Sequence, residues 1–204
     1  MSNFEYIIAS LPFLTQDFQY AEGQGFQSVI DEIQENLSEK DNATLRFLLK
    51  GFTASEPEYY REALSHSLPF IRDYFSYDLD LKNAKVRYLN RQLGRPEEKD
   101  VVSLAEEGGL EEPLRDFEEE DKVKSALAQS DLVAREKALD DVCWEKAEKL
   151  STFHYFDLTA VLAYVVKLNI ANRWLALDEQ RGKELFRKLV TEIRGTFKGV
   201  KYQG

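Results

Sequence analysis

The sequence predicts an all-α fold, an antiparallel helical bundle built from two related lobes. Apolar residues recur at helical spacing along most of the chain, and no alternating strand pattern is found after residue 15. Glycines and prolines cut that pattern into lengths suited to single helices. A short phrase is also written twice: Asn83-Ala84-Lys85-Val86-Arg87-Tyr88-Leu89 returns as Asn169-Ile170-Ala171-Asn172-Arg173-Trp174-Leu175. Both share Asn-x-x-x-Arg-aromatic-Leu, which on a helix sets an amide beside a guanidinium and follows them with two packing residues. Phe70 and Phe156 fall in the same register, so one helical unit used twice is the architecture to expect.

The elements follow in order. The stretch from Phe4 to Leu11 fits either a strand or a helix, and Pro12 ends it. Helices are expected around Phe26 to Leu37 and Asn42 to Phe52, separated by Ser38 to Asp41 and closed by Gly51. Pro57 suits the first turn of the next helix, and Pro69 interrupts the pattern, so Glu58 to His66 and Phe70 to Leu93 read as two helices or one kinked one. The latter should bury Phe75, Leu79, Val86, Leu89 and Leu93, and Gly94 with Pro96 supplies its stop. Residues 96–121 hold Gly108-Gly109, Pro113 and the run Glu118-Glu119-Glu120-Asp121, the composition of an exposed acidic connector between lobes 1–95 and 122–204. Asp131 is the expected N-cap of a helix running to about Leu150, with Leu132, Leu139, Val142 and Leu150 facing inward. After a break at Ser151 to Tyr155, Phe156 to Leu177 and Glu179 to Arg194 read as an antiparallel pair joined at Asp178, the second helix burying Leu185, Leu189 and Ile193.

Charge and composition narrow the function classes. The chain has 204 residues, 43% of them hydrophobic and 12% aromatic, enough to bury a real core. Its net charge of −10 argues against sequence-independent binding to nucleic acid or to an anionic membrane, both of which need a basic face. The acidity is local: Glu97 to Glu148 holds 18 acidic against 7 basic side chains, a net of −11. One cysteine, Cys143, makes no internal disulfide, and a basic signal region is not seen at the N-terminus. The most apolar stretch, Leu158 to Leu177, carries Lys167, Asn169, Asn172 and Arg173, which suits a core helix better than a membrane span, so no direct membrane insertion is expected. These features point to a cytoplasmic protein.

No catalytic, metal or cofactor set emerges. A carboxylate-bridged metal site needs His three residues after Glu, whereas His66 follows Glu62 by four and His154 has no acid at the ligand offset. Cys143 between Val142 and Trp144 reads as a small buried hydrophobe, and Gly23-Gln24-Gly25 lacks the third glycine and the Lys-Ser or Lys-Thr of a phosphate loop. The acidic residues fall in runs alternating with Lys, as on solvated faces. Basic residues are more informative. Lys82, Lys85, Arg87, Arg91 and Arg95 follow one another with no acid between, and Arg181 to Gly204 holds seven basic against two acidic residues. Either these are docking surfaces, or they pair with the acidic connector. The candidate partner-binding residues are Lys82, Asn83, Arg87, Arg91, Asn169, Asn172 and Arg173.

Two stretches, Tyr77-Asp78-Leu79-Asp80-Leu81-Lys82-Asn83-Ala84-Lys85-Val86-Arg87 and Leu162-Ala163-Tyr164-Val165-Val166-Lys167-Leu168-Asn169-Ile170-Ala171-Asn172-Arg173, resemble the C subunit (d in eukaryotes) of V-type rotary ATPases. Leu168 or Asn169 stands where that family has Glu. The opening Tyr6-Ile7-Ile8-Ala9-Ser10-Leu11-Pro12-Phe13-Leu14 resembles a small bacterial family of unknown function encoded beside V-type ATPase subunits. The resemblance implies a funnel-like helical protein between rotor ring and central stalk, without an active site. That family builds three lobes, and this chain has room for about two. A non-catalytic C/d-like subunit or assembly factor is therefore expected, with central-stalk and rotor-ring proteins as partners and no cofactor. The resemblance places it in the cytoplasm, peripheral to the inner membrane through the ATPase complex. The competing expectation is a general helical adaptor that uses the acidic connector.

Overall fold

The computed structural model describes residues 2–15, 25–104 and 117–176, and every regular element among them is a helix. In chain order these are α1 (Phe4–Ser10), α2 (Phe26–Asn36), α3 (Glu39–Gly51), α4 (Pro57–Leu64), α5 (Pro69–Gln92), α6 (Glu120–Leu127) and α7 (Leu132–Leu150). Residues 158–176 form α8. The expected helix from Glu179 to Arg194 lies outside the described residues.

Local chemistry explains where each helix begins. Asn3 accepts a hydrogen bond from the Tyr6 amide at 3.1 Å, which resolves the ambiguous N-terminal stretch in favour of helix. Ser38 caps α3 by accepting from the Asp41 amide at 3.2 Å, so residues 39–41, expected to separate two helices, already belong to the second. Asp131 caps α7 as expected, accepting from Ala134 N at 2.7 Å, and Asp157 does the same for α8 from Ala160 N at 3.1 Å. Pro57 and Pro69 sit in the first turns of α4 and α5, where no intrahelical donor is lost. Gly94 adopts φ +63° just beyond α5 and supplies the expected stop.

The larger core cluster draws on both expected lobes. It joins Ile7, Ile30, Ile33, Leu45, Leu48, Tyr60 and Phe75 with Trp144, Leu162, Val165 and Leu168. Burying an aromatic such as Phe75 contributes on the order of 2–3 kcal/mol, and the shared cluster joins α7 and α8 to the N-terminal helices. Gly51 is part of it rather than merely a helix end: a Cβ there would lie 2.2 Å from Phe75 Cζ and from Tyr59 Oη. A smaller cluster unites Tyr77 and Leu81 of α5 with Val123, Ala126 and Leu127 of α6 and Leu139 and Val142 of α7.

Helices α5 and α8 both run antiparallel to α7. Along α5, Tyr77 meets Cys143, Lys85 meets Glu136 and Tyr88 meets Arg135, so rising numbers on one helix match falling numbers on the other. Along α8, Lys167 meets Trp144 and Glu148, and Arg173 meets Asp140. The same rule holds for α6, where Glu119 pairs with Lys146 and Lys122 with Glu145.

The apolar stripes depart from expectation at one end. Leu89, Leu93 and Leu132, expected inside, are 55%, 57% and 65% exposed. On the side of Leu89 and Leu93 the last turns of α5 outrun the core, while the other side is covered by residues 97–99, so helical periodicity continues where apolar burial does not. The pair Phe70 and Phe156 also splits: Phe70 is buried, whereas Phe156 precedes α8 and is exposed.

Candidate interaction surface

The first Asn-Arg phrase is tied to the chain that follows it. Asn83 donates through Nδ2 to the Val102 carbonyl and accepts the Val102 amide through Oδ1, both at 3.0 Å. Asn90, one helical turn beyond Arg87, donates to the carbonyls of Glu97 at 3.0 Å and Lys99 at 2.6 Å. Both amides are buried, so they replace the water that the backbone of this segment would otherwise need. Val102 and Leu104 pack against the larger cluster. The first residues of the acidic connector are thus strapped along α5.

The cations of this phrase are engaged at the same seam. Arg87 makes a bidentate contact with Glu98, both bonds at 2.9 Å, and Arg91 meets Glu97 at 2.5 Å. The hydrogen bond from Arg87 holds the Glu98 carboxyl below the usual carboxylate range. A depressed carboxylate pKa favours the native state above the unfolded value and loses that contribution as pH falls through the folded value. Lys82 turns the other way. Its Nζ reaches the Ala54 carbonyl at 2.8 Å, Tyr60 Oη at 2.7 Å and Asp78 at 2.9 Å, while the Tyr60 hydroxyl donates to Asp78 at 2.7 Å. Burial, assisted by Asp78, pushes the Tyr60 phenol well up, which keeps it a donor.

The second phrase is anchored by a residue that nothing in the sequence pattern singles out. Asp140 of α7 is buried, pairs with Arg173 and accepts from Trp174 Nε1 at 2.6 Å. Burial lowers the Arg173 pKa, but the bond and charge of Asp140 outweigh it and raise the pKa overall. Asp140 sits in a run that reads as a solvated face, and only the need of an Arg-Trp pair for an acceptor hints otherwise. Asn169 and Asn172 are half-buried on α8.

The structure therefore brings the two phrases to the N-terminal half of α7. Their second halves are used alike. Arg87 and Arg173 each bind a carboxylate, Tyr88 and Trp174 each turn toward α7, and Leu89 and Leu175 each point to solvent. Their first halves differ, since Asn83 clasps a loop and Asn169 lies in α8 beside buried Leu168 and Ile170. The antiparallel register set by Lys85 and Glu136 places Leu89, one turn on, opposite Leu132 and Val133, one turn back. Leu89, Leu93, Leu132 and Val133 are all exposed at this end of the α5–α7 pair, with Lys85 and Glu136 one turn inward, whereas Arg87 and Arg91 lie on the opposite side of α5 at the seam with residues 97–98.

His66 and Cys143 each have a structural partner. His66 Nδ1 accepts from the Leu68 amide at 3.1 Å and the ring stacks on Phe47 at 5.4 Å. Cys143 lies against Tyr77 Oη at 3.3 Å, and burial pushes its thiol up to about 12, so it is protonated at neutral pH. Among the described residues no group of three or more His, Cys, Asp or Glu is placed to hold a metal, and no helix is long and apolar enough to cross a membrane. What this surface offers chemically is apolar contact with a charged rim, the anatomy of a protein-binding patch.

No curated protein and no solved structure matches the chain. A family model does match, over residues 53–196, a span from α4 through α8 that includes both Asn-Arg phrases. The chain belongs to that family, the proteins of unknown function DUF2764.

Proposed function

We propose that the chain is a non-catalytic C/d-like subunit or assembly factor of a V-type ATPase, and that it couples central-stalk to rotor-ring proteins through the aliphatic end of α5 and α7. The observation that carries this reading is the convergence of the two Arg-aromatic-Leu phrases on α7, around leucines left in water. A coupling part has to transmit force without yielding. The contacts of Lys85 with Glu136, Tyr88 with Arg135, and Arg173 and Trp174 with Asp140 fix α5 and α8 to α7, while the leucines supply contact area that can be covered and uncovered.

The ties also change what each candidate residue does in this reading. Arg87 and Arg91 hold the start of the connector against α5, Arg173 holds α8 to α7, and partner contact falls to the exposed aliphatic residues at this end. Copurification from a cell that makes the whole complex is the test. Tagged protein is expected to bring down rotor and stalk proteins at near-equal stoichiometry; a clean preparation free of every ATPase subunit would contradict the proposal.

A further inference from the structure

The opposite end of α7 carries a second apolar surface of different character. The turn between α7 and α8 reads Phe153-His154-Tyr155-Phe156, and Phe13 lies beside it. Phe13, Phe153, Tyr155 and Phe156 are 82%, 83%, 67% and 61% exposed. Four rings at such exposure present roughly 600 Å² of aromatic surface, the upper end of what a monomer leaves bare.

Phe153 is there at a cost. Its φ of 69° lies in the left-handed region, which costs a residue with a Cβ about 1–2 kcal/mol and which Gly usually fills after a helix. A chain that accepts this strain to hold a phenyl ring in water has a use for the ring. Beside the turn, and sharing Ser151, His154 and Tyr155 with it, opens a groove of about 420 Å³ between the N-terminal segment and α8, whose apolar lining of Ile8, Leu11, Leu14 and Ala163 is joined by Tyr164 and Lys167. One face thus holds both a knob and a hole.

We infer that this face binds a second copy of the chain across a two-fold axis, the Phe153 ring of each copy entering the groove of the other. Self-complementarity is what an isologous interface requires. Two such surfaces together bury roughly 1,200 Å², the lower bound for a specific interface, with the aromatic enrichment that interfaces show. Charge permits the approach. Lys167 lies 3.6 Å from Glu148 and Lys149 pairs with Glu118, and the Asp157 carboxylate is engaged by the His154 ring at 2.5 Å, so two chains of net charge −10 meet there with their local carboxylates already partnered. This inference does not rest on the coupling role, which uses the other end of α7.

Sedimentation of the full chain over a micromolar concentration series tests it. The wild type is expected to pass from monomer to dimer, and F153G to raise the dissociation constant at least about tenfold. The melting temperature of F153G should not fall below that of the wild type when both are dilute and monomeric, because glycine accepts the backbone angle that phenylalanine strains to adopt. F153N, also tolerant of that angle, and F13S serve as second variants should F153G misfold. A wild type that stays monomeric throughout would overturn the inference. So would a dimer that F153G, F153N and F13S leave equally tight, or capture of a different protein through Phe153 by a monomeric wild type.

Discussion

Gly51 stands where helix α3 meets two aromatic rings, and the absence of a side chain is what lets Phe75 and Tyr59 close over it. The rings are themselves fixed, at 5.1 Å between centroids in an edge-to-face pair, with the Tyr59 hydroxyl donating to the Phe47 carbonyl at 2.9 Å. Neither can swing aside cheaply. Gly51→Ala is therefore expected to destabilise the fold by about 1–3 kcal/mol in chemical denaturation, the cost of overpacking, despite the better helix propensity of alanine. A stability equal to or above the wild type would show that the rings yield. From sequence the glycine reads as a helix terminator, because the residues that need it arrive from later helices. Asp140 escapes the sequence for the same reason: a carboxylate among charged neighbours looks solvated until Arg173 and Trp174 are seen to reach it.

Elements whose signals are local were legible. Asp131 caps α7, Pro57 and Pro69 open α4 and α5, and Gly94 stops α5, each through chemistry confined to one turn of chain. Long-range matters were not. The exposure of Leu89, Leu93 and Leu132 could not be read from periodicity, which records which face is apolar but not whether another helix covers it. The acidic connector gave a mixed result, since its composition suggests a solvated run while Asn83 and Asn90 bind its first residues to α5 through four hydrogen bonds. Replacing either asparagine by alanine removes these bonds and leaves backbone groups of the strap unpaired, at about 1–3 kcal/mol each. Limited proteolysis is expected to show faster cleavage within residues 97–104 in N83A and N90A than in wild type. Unchanged cleavage in both would mean that packing of Val102 and Leu104 alone holds the segment.

At the scale of the molecule, a larger core cluster joins helices from α1 to α8, a smaller one joins α5, α6 and α7, and Asp140 is the charged residue buried among the described residues. The antiparallel arrangement of α5, α7 and α8 sets two apolar surfaces at the two ends of α7, aliphatic at its start and aromatic at its finish. A helix of this length separates them by about 28 Å, so a partner at one end leaves the other free. The all-α class follows from helical spacing throughout; the pairing of the two phrases across α7 follows from tertiary contacts that no spacing encodes. Because Arg87 and Arg173 are anchored to carboxylates, charge reversal there would disturb the fold as well as any partner contact, and the leucines make the cleaner probe. The direct measurement is capture of V-type ATPase rotor and stalk proteins by tagged wild type and by the L89D/L132D variant, with helicity of both followed by circular dichroism. The account predicts equal helicity and at least a tenfold loss of capture in the variant, about 1.4 kcal/mol or more of binding free energy. Undiminished capture by a folded variant, or none by the wild type, would contradict it.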